Sequence, residues 1–445
     1  MTIHPLLPVL LLALTPTPTP GVPVAGATLG AQTPATDTLR LASLQERARR
    51  ADPRAGQFEL LARQSALRLH NLDAERRPAV TVESHAQYQS DVARIPIVLP
   101  GGVSPPTPPN DTYDARIGAT QRLIDPTLGA RRDIERAQHA HAESAVRVAL
   151  FALRHQVNDA YFAALRAQAQ GDEIAAGIAA LEAQLSVATA RVREGAALPS
   201  EEHTIRAELL RRRQARAELS ASRVAALTVL AELTGASVST EVVLALPDHA
   251  DDVARARGGP SDPRARPEFE RFARSRDVLE GQERARSAQD RPRVSAFGRV
   301  GYGRPGLNPL NDTFDSYWLA GVQLEWSPWT WGAGGREREV LALQRRVLTA
   351  DEDAFARQLH RGVAQDLAAI DRLEASLAMD DEIIALRERI ADETRARFAE
   401  GVVTSADYVD RQTDLLGARV ARALHRVELA QAHAQFLTTL GIEVK

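Results

Sequence analysis

One short stretch occurs twice, and it limits what the chain can become. Around Gly401 an unbroken helical pattern (Arg395, Arg397, Phe398, Glu400) stops at the glycine and restarts at Thr404 and Ser405, with Asp407 and Asp410 just beyond. A hydroxyl residue followed by acids is a helix-start signal, and a glycine just past a helix suits its end. The stretch predicts a tight reversal between two helices. The same device surrounds Gly195, from Arg191 to Glu202, and the two glycines stand 206 residues apart. Other landmarks repeat too. Leu233, Thr234 and Gly235 answer Leu440 and Gly441, again at 206 between glycines. Arg77-Pro78 answers Arg291-Pro292 at an offset of 214, and Tyr113 answers Tyr317 at 204. The offset shrinks between these last two pairs, so the segment between them reads as a loop, shorter in the second half. Two copies of one unit fill the chain, and neither reads as a self-sufficient globular domain.

Length alone suggests two or three domains, but the duplication favours a single elongated body. A net charge of −3 leaves no polyanion-binding footprint, so no nucleic acid partner is expected. There is no cysteine, which excludes a lipid-bearing N-terminal cysteine, disulfides and thiolate metal sites. His139 and His141 are two apart on a helical stretch and point to different sides, so with His155 and His203 they make no ligand set. No P-loop, Gly-x-Ser-x-Gly or His-Glu-x-x-His motif occurs. No catalytic, cofactor or metal residue is expected, and the chain does not read as an enzyme.

Leu6 to Leu14 is a short apolar run followed by Thr-Pro repeats and small residues. It is too short to span a bilayer and suits a secretory signal over residues 1–31, cleaved after Ala27 or Ala31. A disordered Pro-rich tail is the alternative. No later window is apolar enough for a transmembrane helix. If the chain enters a membrane, it does so as strands.

The first repeat, 32–235, opens with a helix over 37–76, broken near Asp52-Pro53. A β-hairpin over 78–124 follows, with a Pro/Gly-rich loop at 91–112. Val80, Val82, Ser84, Ala86 and Tyr88 alternate with polar residues on one strand, as Tyr113, Ala115, Ile117 and Ala119 do on the other. From Gly129 to Gly195 runs a helix of roughly 100 Å, with Ile174, Ile178, Leu181, Leu185, Ala188 and Val192 as a coiled-coil seam. Residues 200–234 return about half that height. Residues 236–266 form an irregular connection at mid-height. The second repeat, 267–445, supplies a helix to about residue 290, a hairpin over 292–326 and a long helix from Gly332 to the turn at 401. The last helix runs from Thr404, with Leu416, Val420, Ala423, Val427 and Ala430 on its seam. Trp326, Trp329 and Trp331 cluster where strand gives way to helix. Tryptophan concentrates at membrane interfaces; an aromatic core at the junction is the alternative.

Four alternating strands cannot close a barrel, since the smallest membrane barrels need about eight. Open edges do not survive in lipid. Either the strands stay out of the membrane or several chains share one barrel. A shared barrel continued by such helices would be a long tube.

At this point the chain resembles the TolC-type outer-membrane efflux protein family. The resemblance is carried by the duplicated strand–loop–strand–long helix–glycine turn–helix unit and by the Arg-Pro strand entries. It is carried also by the Leu-Ile-Asp…Gly129 and Trp-Ser-Pro…Gly332 junctions and the Leu-Thr-Gly235 ending. It implies a mainly α fold with a β-barrel portion, in which internally duplicated protomers of long coiled-coil helices plus four β-strands form a trimeric α/β barrel tube. The homotrimer would place a twelve-stranded barrel in the lipid of the cell outer membrane and a helical tunnel in the periplasm. It would be a passive exit duct of a tripartite efflux or type I secretion system, served by a periplasmic adaptor (membrane fusion protein) and an inner-membrane pump. By position after the turn glycine, Asp407 and Asp410 match the acids that line the family's periplasmic gate. Glu201 matches an acid that holds the closed state through an ion pair. The position of its basic partner is Val403 here, with Arg395, Arg397 and Arg411 as substitutes. Gly195 and Gly401 match the turns where the adaptor docks.

Two plainer readings stand beside these. Acids in a helix's first turn are stabilised by the backbone dipole, and the turn glycines suit simple C-cap geometry. A second functional reading is a non-membrane periplasmic coiled-coil scaffold or adaptor with a soluble sheet. Ser84, Ala86, Gly298 and Ala320 thin the apolar strand face and favour it.

Overall fold

The duplication is built into helix lengths. The computed structural model describes residues 38–93, 107–258, 263–310 and 312–443; the expected signal segment and residues 94–106 of the first hairpin loop lie outside them. The first repeat consists of β1 (Thr38–Leu39), α1 (Leu41–Ala51), α2 (Gln57–Ala74), β2 (Ala79–Tyr88), β3 (Asp111–Ile124), α3 (Pro126–Arg193) and α4 (Pro199–Thr234). Then come β4 (Val243–Leu244), α5 (Ala250–Gly258), α6 (Pro267–Gln289), β5 (Arg293–Arg304), β6 (Asp315–Glu325), α7 (Ala333–Ala399) and α8 (Ser405–Leu440). The long helices α3 and α7 have 68 and 67 residues, and their partners α4 and α8 have 36 each. At about 1.5 Å per residue the long helices extend roughly 100 Å.

Local chemistry sets the helix limits. Helix α3 starts three residues before Gly129, because Asp125-Pro126 is the stronger signal. Proline suits the first helical position, and the Asp125 carboxylate accepts from the Thr127 N–H at 3.0 Å and its hydroxyl at 2.6 Å. The break between α1 and α2 falls at Asp52, whose side chain caps a short 3-10 turn over Pro53–Gly56. The two reversals share one backbone motif. Gly195 has φ +71° and its N–H donates to the Val192 carbonyl at 3.1 Å, while the Ala196 N–H donates to Arg191 at 2.8 Å. Gly401, at φ +74°, repeats this with Phe398 (3.1 Å), and Val402 with Arg397 (2.9 Å). These bonds satisfy the last carbonyls of each long helix.

Tyr161 and Phe162, near the middle of α3, are fully buried. Around them gather Leu41, Leu44 and Ala48 of α1, Leu227 and Leu230 of α4, and Val427 and Ala430 of α8. Val242 and Leu244 join the same cluster, so part of the connection after α4 is core rather than irregular cover. It is fastened by a parallel pairing of β1 with β4, Thr38 opposite Val243 and Leu39 opposite Leu244. A second cluster sits at the turn end, where Ile174, Ile178, Leu181 and Ala188 meet Ile205 and Leu209 of α4 and Phe398, Tyr408 and Val409 of the second repeat. The predicted α3 seam supplies four of its nine buried residues.

The two hairpins form one antiparallel sheet in the order β2-β3-β5-β6. They join edge to edge through β3 and β5, with Ile117 opposite Val300. They do not pack face to face around an interior of their own. The outer edges of β2 and β6 have no strand partner among the described residues.

Candidate functional site

The register sorts the sheet into two unlike faces. Val80, Val82, Ala119, Ile117, Val300, Trp318, Val322 and Leu324 fall on one face, in cross-strand rows such as Val82–Ile117–Val300–Trp318. Nothing among the described residues covers it: Val82 is 77% exposed and Trp318 74%. The apolar face is thicker than Ser84, Ala86, Gly298 and Ala320 alone suggest, because the large residues occupy the rows between them. The opposite face carries Glu83, Asp114, Arg116, Thr120, Arg299, Tyr317 and Gln323. There the Arg116 guanidinium donates to Glu83 at 2.9 Å, and the Tyr317 hydroxyl donates to Asp114 at 2.6 Å. On this polar face the Phe297 ring lies over Gly321 and the Tyr317 ring over Gly301, so a Cβ would meet ring carbons at 2.9 and 2.5 Å respectively. Glycine under a cross-strand ring lets one face crowd together, as the inside of a curved sheet requires.

Aromatic rings end the apolar face at both limits. At the loop end Phe314 stacks between Tyr113 and Tyr302, with centroids 6.1 and 5.6 Å apart. At the helix end Trp329 and Trp331 meet edge-on at 5.9 Å, and the Trp326 ring N–H donates to the Asp290 carbonyl at 3.1 Å. All three tryptophans are exposed in the single chain. From the Tyr302–Ser316 row to Trp326 is about ten residues along β6. At about 3.3 Å per residue and a tilt of about 40°, that spans roughly 25 Å, the apolar height of a membrane barrel.

The second region is the end with the two glycine turns. Thr404 caps α8: its hydroxyl accepts from the Asp407 N–H at 3.1 Å, and the Asp407 carboxylate accepts from the Thr404 N–H at 3.1 Å. The Thr404 hydroxyl and N–H hold the Asp407 carboxyl below its usual range. Asp410 stands exposed one turn further along α8. Glu201, in the first turn of α4, has no ion-pair partner among the described residues. The candidate substitutes for its basic partner pair along their own helices instead: Arg395 with Asp392 (3.2 Å), Arg397 with Glu393 (2.6 Å) and Arg411 with Asp414 (3.3 Å). Residues three and four apart on a helix are nearer than any across the turn. Val403 packs against the apolar cluster of this end. Gly195 and Gly401 end the neighbouring long helices, and the Arg191 guanidinium, 6.0 Å from the Phe398 ring centroid, donates to the Phe398 carbonyl at 3.4 Å.

Sequence reasoning missed a buried ion pair higher on the same helices. Glu208 and Arg212 are 7% and 5% exposed and bond at 2.7 Å. Arg212 also donates to the Gly177 carbonyl of α3 (3.2 Å) and to the Thr413 hydroxyl of α8 (3.2 Å). Burial pushes the Glu208 carboxyl up, but hydrogen bonds from Arg211 and Arg212 outweigh it and hold the group below its usual range. One side chain thus ties α4 to both neighbours. Gly177 makes room for it, since a Cβ there would meet Arg212 Nη1 at 2.8 Å.

No helix among the described residues is long and apolar enough to cross a membrane. No group of three or more His, Cys, Asp or Glu among them could hold a metal ion.

Residues 43–236 match the family model described as outer membrane efflux protein. No curated protein sequence matches the chain. Among solved structures it is similar to CusC, from work on conformational changes accompanying folding and transmembrane channel formation. That likeness has 15% identity and a TM-score of 0.69 and covers 90% of this chain and 92% of that one. It is similar to the outer membrane protein VceC of Vibrio cholerae, at 14% identity, 91% and 97% coverage and a TM-score of 0.65. It is also similar to the open state of the MtrE outer membrane channel of Neisseria gonorrhoeae, at 16% identity, 91% and 90% coverage and a TM-score of 0.65. At these identities the likeness carries the fold.

Proposed function

We propose that the chain, which matches the outer membrane efflux protein family over residues 43–236 and has the fold of outer membrane channels over 90% of its length, is a protein of that family and one protomer of a trimeric exit duct. Three copies side by side, the free edge of β6 against the free edge of β2, would close a twelve-stranded barrel in the outer membrane. The helices would continue it through the periplasm. The duct is passive and catalyses nothing. It serves a tripartite efflux or type I secretion system, in which a periplasmic adaptor and an inner-membrane pump supply cargo and energy.

One observation carries this reading: among the described residues, a sheet with one apolar and one polar face, both uncovered, and two free edges. In water such a sheet would expose apolar rows and invite edge-to-edge aggregation. In a barrel the apolar face meets lipid and the polar face lines the bore. Asp407 and Asp410 would stand in three copies at the helical end and favour cations there. Asp407 also caps α8, and the two roles are compatible, since a carboxylate bonded through one oxygen keeps its charge. Glu201 is proposed at the same gate, without the ion pair seen in the resemblance. The turns at Gly195 and Gly401 would receive the adaptor; Leu198 and Val402 beside them are 67% and 68% exposed.

The rival, a periplasmic scaffold with a soluble sheet, is separated by fractionation of cells that express the full chain. The duct stays in the outer-membrane fraction through salt and alkali and needs detergent. Release by salt or alkali alone would hand the chain to the scaffold reading.

A further inference from the structure

Most arginines of the polar sheet face have a carboxylate bonded to them or directly opposite. Arg116 pairs with Glu83 and Asp114. Arg122 pairs with Glu75 and Asp125. Arg293 sits directly opposite Glu325. Arg299 has no carboxylate partner among the described residues. Its cross-strand neighbours are Gly118 and Leu319, and its buried Nε has no hydrogen-bond partner. It lines an open cleft on the polar face together with Thr81, Thr120, Phe297, Gln323 and the Glu83–Arg116 pair.

We propose that Arg299 is an anion-attracting station in the bore, recruiting the carboxylate, phosphate or sulfonate groups of solutes that pass. The proposal rests on the duct reading, because it needs the polar face to line a channel and three copies of Arg299 to share one level. Twelve strands spaced about 4.8 Å apart and tilted about 40° give a backbone radius of about 12 Å. An arginine pointing inward covers much of that distance. Three such charges lie within a Debye length of the axis, about 10 Å at 0.1 M salt. Opposing fixed charge of this kind raises the local concentration of counter-ions. Glu83 and Asp114 stand on the same face and share Arg116, and Asp315 lies two residues beyond Tyr317 toward the loop end.

The test is the reversal potential of single channels in planar bilayers under a steep KCl gradient at low salt. Wild type is compared with Arg299→Gln, Arg299→Glu and Arg299→Lys. The structure predicts that the chloride-to-potassium permeability ratio falls by about twofold or more in Arg299→Gln. It should fall further in Arg299→Glu and hold near wild type in Arg299→Lys. The lysine variant keeps the charge and controls for misfolding. Conducting channels whose ratio is the same in all four proteins would overturn the station and leave the duct standing. Absence of any conductance from wild type would remove the duct reading, and the station with it.

Discussion

Arg212 is a polar tie between the two helix pairs, beside the apolar clusters they share. It crosses from α4 to a carbonyl on α3 and a hydroxyl on α8, and Glu208 neutralises it where water has little access. Removing one partner of a buried pair is costly because the other is left charged and dry. Arg212→Met should therefore cost about 3–5 kcal/mol, and the double variant Glu208→Leu/Arg212→Met should recover most of it. Thermal unfolding followed by the helical signal checks this; equal losses in the single and double variants would count against it. The interaction was invisible in the sequence. Glu208 and Thr413 are 205 residues apart, close to the repeat offset, so they are near-equivalent positions that only folding brings together. Asp407 is the opposite case: a hydroxyl at Thr404 and an acid three residues on announced the capping box. Its second role is tested by Asp407→Ala with Asp410→Ala, expected to lower the cation preference of single channels. Unchanged preference would leave Asp407 as a cap and Asp410 as a solvated charge.

Among the elements, legibility followed the strength of local signals. Strands of ten to fourteen residues with period-two alternation were placed to within a few residues, and the reversals marked by Gly195 and Gly401 fall where the glycines stand. The two-residue pairing of β1 with β4 left no pattern to read, because two residues cannot show a period. The joining of the hairpins through β3 and β5 was likewise absent, since alternation fixes faces and not neighbours. At the turns, geometry leaves a testable gap between capping and docking. Space beside Gly401 is open: a Cβ there would come no nearer than 3.9 Å to Arg191. Its φ of +74° still strains any other residue. Gly401→Tyr should thus keep the assembled protein while weakening crosslinking to the adaptor. Full crosslinking by an intact assembly would return the glycine to a purely structural role.

For the whole molecule, the claim everything leans on is that four strands per chain borrow their missing neighbours from identical copies. Head-to-tail contacts either close into a ring or run on into a fibre. The near-equal helix pairs of the two repeats favour closure, because each copy then contributes two similar staves. The chain has no native cysteine, so disulfide trapping is free of background. The most direct measurement introduces one cysteine on the polar face of β2, at Thr81 or Glu83. It is combined in turn with one on β6, at Tyr317, Leu319, Gly321 or Gln323, and the protein is oxidised in its native membrane. At least one pair should give a ladder of crosslinked species that stops at three copies. Monomers for every pair, or a ladder that runs on past three, would contradict the account.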